Sequence, residues 1–221
     1  MKKMLLLILM FSGCSTVQKN TSADYLAAYQ QKEALSSSLL DNEGKIDEEG
    51  IQKILQSKVK LPQKIHMAIL FFSENNQQGF LSPRSEKLFQ LESWGPQIQA
   101  ISPLPQLLIG ERANLLTLRR AAALLQADVL LVMRPITQTD SRNFLFRAEA
   151  KAVSTVEVLL LDVRSSVVLF SAISTGTVQL ERAEDDYSHR EMLERTKAEG
   201  EFQAQERVPD LVKAYLASLA D

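Results

Sequence analysis

Val156-Glu157-Val158-Leu159-Leu160-Leu161-Asp162-Val163, then Arg164-Ser165-Ser166, then Val167-Val168-Leu169-Phe170-Ser171-Ala172, is two apolar β-branched runs around a short polar turn. Runs of this length rich in Val and Leu read as strands, and a short turn makes the pair antiparallel. The pattern extends on both sides. Before it, Phe146, Ala148, Ala150 and Ala152 alternate with Leu145, Arg147, Glu149 and Lys151, so this strand has one wet face. After it, the second strand continues to Val178, with Gly176 weakening its end.

Further towards the N-terminus, Val129-Leu130-Leu131-Val132-Met133 is a short, fully apolar strand. The helix before it, Asn114 to Ala127, carries Leu115, Leu118, Ala121, Ala122 and Leu125 on one stripe, with Arg119 and Arg120 pointing away. Lys64 to Phe72 is apolar on both faces and reads as a strand inside a sheet. Pro83 to Trp94 predicts a helix stopped by Gly95-Pro96. Gln97 to Ser102 predicts a strand that Pro103 and Pro105 bar from the middle of a sheet. Between Asp24 and Leu55 the spacing suggests two short helices, the second near Glu48 to Gln56.

At the other end, Glu184 to Gln205 is dense in both charges. It predicts a solvated, mobile helix, interrupted near Gly200, held by pairs such as Glu191 with Arg195 and ordered on a partner. Pro209 opens a last helix with Val208, Leu211, Val212, Tyr215 and Leu219 as its stripe. The expected fold is α+β: a mixed sheet of about five strands with helices packed on it. The expected segments are 1–13 as a signal, 14–22 as a tether, 23–60 as helical, 61–180 as the core domain and 181–221 as C-terminal helices.

With 221 residues, 45% hydrophobic and 24% charged, the composition is that of a globular chain and excludes a wholly disordered one. A net charge of −2 gives no general attraction to nucleic acid. One Cys allows no internal disulfide, and two His make a histidine-rich metal site an unfavourable reading. The Cys has a telling position. Met1-Lys2-Lys3 is a positive start, Met4 to Phe11 is apolar but far too short to span a bilayer, and Phe11-Ser12-Gly13-Cys14 follows.

That stretch resembles the signal and lipobox of bacterial lipoproteins. The resemblance implies cleavage before Cys14, lipid (palmitate among the acyl chains) on Cys14, and, from Ser15, an anchor in the outer membrane facing the periplasm. Without Lys2 and Lys3 the chain keeps 23 basic against 27 acidic residues, so no bulk charge assists the anchor.

The search for chemistry returns little. There is no phosphate loop, nucleophile elbow, H-E-x-x-H or C-x-x-C. His66 reads as a packed or edge histidine and His189 as a solvated one. Glu184-Asp185-Asp186 reads as carboxylates near a helix start rather than a cation site. Asp140 and Asp162 read as turn residues rather than an acid–base pair. Trp94 reads as a cap on the local core rather than a partner anchor.

Ala127-Asp128-Val129-Leu130-Leu131-Val132, then Val156 to Ser165, then Val168-Leu169-Phe170-Ser171-Ala172 together are similar to periplasmic α/β domains of the curli-secretion-channel and TolB N-terminal type. With the lipobox and Asp24-Tyr25-Leu26, the chain most resembles the rhombotarget lipoprotein group. It departs from these patterns at Ser165-Ser166, at Met133-Arg134-Pro135, and at Leu216 to Asp221, where that group carries a Gly-Gly sorting tail. The resemblance offers no catalytic motif, and no nucleophile–base or ligand set is visible in the sequence, so the expected protein is a non-enzymatic, outer-membrane-anchored lipoprotein whose domain binds or scaffolds an envelope protein partner, with no cofactor, no metal and no small-molecule substrate. The alternatives are a subunit of an oligomeric secretion channel or envelope assembly, and an unrecognised enzyme.

Overall fold

The computed structural model describes residues 48–56, 59–72, 82–109, 113–144, 147–183, 186 and 188–219. All of them fall in the second of two units, residues 37–221. In chain order the elements are α1 (Glu48–Gln56), β1 (Ile65–Phe71), α2 (Pro83–Leu88), a 3-10 turn (Leu91–Ser93), β2 (Ile98–Pro103), α3 (Gln106–Ile109), α4 (Leu115–Leu124), β3 (Val129–Phe144), β4 (Arg147–Asp162), β5 (Val168–Glu181), α5 (His189–Gln205) and α6 (Val208–Ser218). The expected helix before α1 lies outside the described residues. Among the described residues no helix is long and apolar enough to cross a membrane.

The five strands form one mixed sheet in the order β2-β1-β3-β4-β5. β1 runs parallel to both β2 and β3, whereas β3, β4 and β5 form an antiparallel meander. β2 is an edge strand and ends at Pro103, as its prolines require. β3 differs from expectation. It does not stop at Met133 but runs on through Pro135 to Phe144, pairing with β4 over its whole length.

The geometry explains why the proline is tolerated. The Met133 carbonyl accepts from the Phe72 N–H on the β1 side, and backbone groups two residues apart face the same way. The missing N–H of Pro135 therefore faces the side where β1 has just ended, and no ladder bond is lost.

A core packs on each sheet face, because successive strand residues point to opposite sides. Val129, Leu131, Met133, Val156, Val158 and Leu160 meet Phe89, Trp94, Val208, Val212 and Leu216 on one face. Ala68, Leu70, Leu130, Val132 and Leu161 meet Leu118, Ala121 and Ala122 of α4 on the other. Asn114 starts α4 with a reciprocal cap: its side chain accepts from the Thr117 N–H at 2.8 Å, and the Thr117 hydroxyl accepts from the Asn114 N–H at 2.9 Å. α6 buries Val208, Pro209, Val212 and Leu216, while the expected stripe members Leu211 and Leu219 are exposed. α2 is only six residues long, shorter than expected, and the chain then tightens into the 3-10 turn before Trp94.

The largest difference concerns α5. It is one unbroken helix, seated on β3, β4 and β5. Met192, Thr196, Gly200 and Ala204 recur every four residues and are all buried. Only two of these four carry an apolar side chain, so a hydrophobicity pattern misses the stripe. A Cβ added to Gly200 would lie 2.8 Å from Ser154 Oγ, and one added to Gly176 would lie 2.5 Å from the Gly200 carbonyl oxygen. The helix backbone rests directly on the strands. Close contact between small residues does what large apolar side chains do elsewhere.

The expected Glu191–Arg195 pair is also replaced. Glu191 caps the Ser188 N–H at 3.0 Å, and Arg195 reaches Asp186 at 2.7 Å and the Glu181 carbonyl at 2.7 Å.

Candidate functional site

The residues singled out for chemistry are scattered and held in structural roles. His66 ties three elements together. Its Nδ1 lies 3.2 Å from the Gln126 carbonyl at the end of α4, and its Nε2 lies 2.8 Å from Ser102 Oγ on β2. A nitrogen facing a carbonyl must carry the proton, so in the neutral ring Nε2 accepts from the Ser102 hydroxyl. His189 is half-buried rather than solvated, with Nε2 2.9 Å from Ser141 Oγ.

Asp162 is buried and closes the β4–β5 turn, accepting from the Ser165 N–H at 2.7 Å and from the Ser165 hydroxyl. Asp140 is exposed and stands opposite Lys151, whereas Asp162 stands opposite Val129. Eleven residues of β3 separate those positions, about 36 Å at strand rise, so the two carboxylates cannot act on one substrate.

Asp186 accepts from Arg195 and from the Ala183 N–H at 2.7 Å. The Arg195 hydrogen bond, then that backbone bond, holds its carboxyl below the usual carboxylate range. Glu184 and Asp185 lie outside the described residues, as does Cys14. Among the described residues no group of His, Cys, Asp or Glu is placed to hold a metal ion. Trp94 is fully buried and packs 5.8 Å from Phe89, so it belongs to the core.

What the fold does offer is surface. Beyond the end of β1, the meander extends with α5 on one face only. The other face presents Ile136, Thr155, Val153 and Gln138, half-buried, and Ile173, Thr175, Thr177 and Gln179, exposed. Arg134 and Glu157 cross this face as an ion pair at 2.7 Å. Burial pushes the Arg134 guanidinium down and the Glu157 carboxyl up.

β5 is the far edge of the sheet. It is 14 residues long, and Glu181 is its single charged residue. Its outward carbonyls at Thr175 and Glu181 meet Arg207 at 3.5 Å and Arg195 at 2.7 Å. By the same alternation the backbone groups of Ile173, Thr177 and Gln179 also face outward. The sequence missed this site because order in a sheet, not composition, makes β5 an edge. The Thr alternation at Thr137 and Thr139 is the one local signal for the extension.

No protein-family model matches the chain, and no curated protein matches it. Several solved structures are similar to parts of the chain. A hypothetical protein from Chlamydia trachomatis is 15% identical over 70% of this chain and 99% of its own, at a TM-score of 0.41. Rare lipoprotein B from Shewanella oneidensis is 12% identical over 70% and 99%, at 0.37. The LpoB C-terminal domain from Salmonella enterica is 11% identical over 59% and 93%, at 0.31.

Proposed function

We propose that this is a lipid-anchored envelope protein, held to the outer membrane through Cys14 and facing the periplasm, whose domain binds a protein partner without doing chemistry. The observation that carries the partner role is the β5 edge of the meander, beside which no described strand lies. A 14-residue edge strand with one charged residue is the feature that folded proteins usually blunt, because it templates pairing with another chain. An extended segment of the partner adds beside β5. Its backbone pairs with the outward groups of Ile173, Thr177 and Gln179, and its side chains meet the exposed row from Ile173 to Gln179. The scattered positions of Asp140, Asp162, His66 and His189 support the non-catalytic reading.

Two measurements test this. Replacing Cys14 with Ser should move the protein from the membrane fraction to the soluble fraction. A C14S protein that still sediments with membranes defeats the anchor. A photo-crosslinking residue at Ser171 should capture a discrete protein in cells, and Thr177→Pro should abolish that adduct while leaving the melting temperature near that of the parent. Capture unchanged by Thr177→Pro would mean the partner does not use the β5 edge.

A further inference from the structure

We infer that the segment added beside β5 is acidic, with an Asp or Glu that Arg207 takes on the α5 side of the sheet. The inference rests on strand addition at β5 and names the chemistry of the partner. Arg207 stands between α5 and α6, and its side chain makes no capping bond to α6. It is exposed, and its guanidinium reaches the Thr175 carbonyl at 3.5 Å, the outer limit of a hydrogen bond. Among the described residues it meets no carboxylate. Arg195 reaches the same edge at the Glu181 carbonyl but spends its charge on Asp186. Arg207 has no such counter-charge. A guanidinium with most of its N–H donors unused takes a carboxylate in preference to any neutral group.

The sheet fixes where that carboxylate must stand. The end of α5 crosses β5 at Gly176, where an added Cβ would lie 2.7 Å from the Ala204 nitrogen and 2.8 Å from Gln203 Cβ. In a strand paired with β5, the residue opposite Thr175 turns its side chain to the open face. Its two neighbours, opposite the buried Ser174 and Gly176, turn theirs to the α5 face, within reach of Arg207. The partner therefore alternates: uncharged residues meet Ile173, Thr175 and Thr177, and a carboxylate stands on the other face. Glu181, the single charge of β5, shares the open face by the same alternation and does not oppose it. Glu206 is exposed at the end of α5, and no ion pair joins it to Arg207. The same charge argues against a second copy of this chain as the occupant. Two β5 edges paired antiparallel about Thr175 to Thr177 would bring two Arg207 guanidiniums to one short stretch of edge, and like charges there oppose association.

The test uses the full chain in an uncharged detergent and fluorescent peptides of about ten residues that repeat Thr-Glu, Thr-Gln or Thr-Lys, read by anisotropy. The Thr-Glu peptide should bind about tenfold more tightly than Thr-Gln, with Thr-Lys weakest. Raising the salt should narrow the gap. Arg207→Glu should reverse the order, and Arg207→Lys should keep it. Both variants should melt near the parent, because Arg207 is exposed and its side chain caps no helix. Thr177→Pro should weaken all three peptides together. Equal binding of Thr-Glu and Thr-Gln overturns the inference, as does a Thr-Glu preference that survives Arg207→Glu. So does a parent that binds none of the peptides at millimolar concentration. The cellular adduct at Ser171 separates the two readings. An adduct lost in Thr177→Pro but kept in Arg207→Glu leaves strand addition standing and removes the acidic partner. An adduct kept in both variants means that strand addition at β5 has itself failed.

Discussion

Asp186 shows how much one side chain does at the junction between β5 and α5. It takes two bonds from Arg195, at 2.7 and 3.2 Å, and one from the Ala183 N–H, while Arg182 holds its carbonyl. Its folded pKa lies below the ordinary value of 3.8. A group depressed in this way contributes stability that is complete above its unfolded pKa and is lost as the pH falls through the folded one. The urea midpoint of the parent should therefore exceed that of Asp186→Asn by a constant amount above about pH 4, with the gap closing at lower pH. A gap that stays constant down to pH 2 would assign the loss to shape rather than charge. This network was invisible in the sequence. The triplet Glu184-Asp185-Asp186 reads as a helix-start acid cluster, and only the return of Arg195 one and a half turns into the helix gives Asp186 its partner.

At the scale of elements, the strands are legible in the sequence, and α5 is legible as a helix but not as a buried one. Val129 to Met133 and Val156 to Leu161 announce themselves by apolar density, and both sit in the buried sheet. Pro135 concealed the extension of β3, since a proline argues against a strand unless its N–H side is unpaired. α5 reads as solvated in the sequence because Thr196 and Gly200 do not count as apolar, although both are buried. Contact through missing atoms predicts a sharp steric response. Gly176→Ala places a carbon 2.5 Å from the Gly200 oxygen and 2.7 Å from the Ala204 nitrogen, both backbone atoms, so the helix must move. The cost should be about 1–3 kcal/mol or more, visible as a lowered melting temperature. Hydrogen exchange should also be slow through Met192 to Ala204 in the parent and faster there in Gly176→Ala. Fast exchange in the parent would restore the solvated reading.

For the whole molecule, the two cores share a single wall. Leu130 and Leu131 are neighbours in sequence but belong to opposite cores, as do Leu160 and Leu161. The faces should therefore unfold together. Trp94, the only tryptophan, reports from the face opposite α4. Leu118→Ala removes a fully buried side chain from the α4 face and should cost about 2–5 kcal/mol. The denaturation midpoint seen by Trp94 fluorescence should fall together with the one seen by far-ultraviolet circular dichroism. A Trp94 transition that stays put while the dichroism shifts would make the two cores separate units.

The position of α6 in the chain has a consequence in time. Ile65, Met67 and Ile69 of β1 end in the same core as Val208, Val212 and Leu216. A ribosome delivers the chain from its N-terminus at about 5–20 residues per second, so roughly 7–28 s pass between the appearance of Ile69 and that of Val208. Through that interval this face of β1 lacks Val208, Val212 and Leu216, and its parallel neighbour β3 is itself still some 60 residues away when β1 emerges. The meander of β3, β4 and β5 needs only short loops and can close as soon as it is made. The β1 face that meets α6 is therefore one of the last parts of the core that the emerging chain can close, although β1 is among the first strands made.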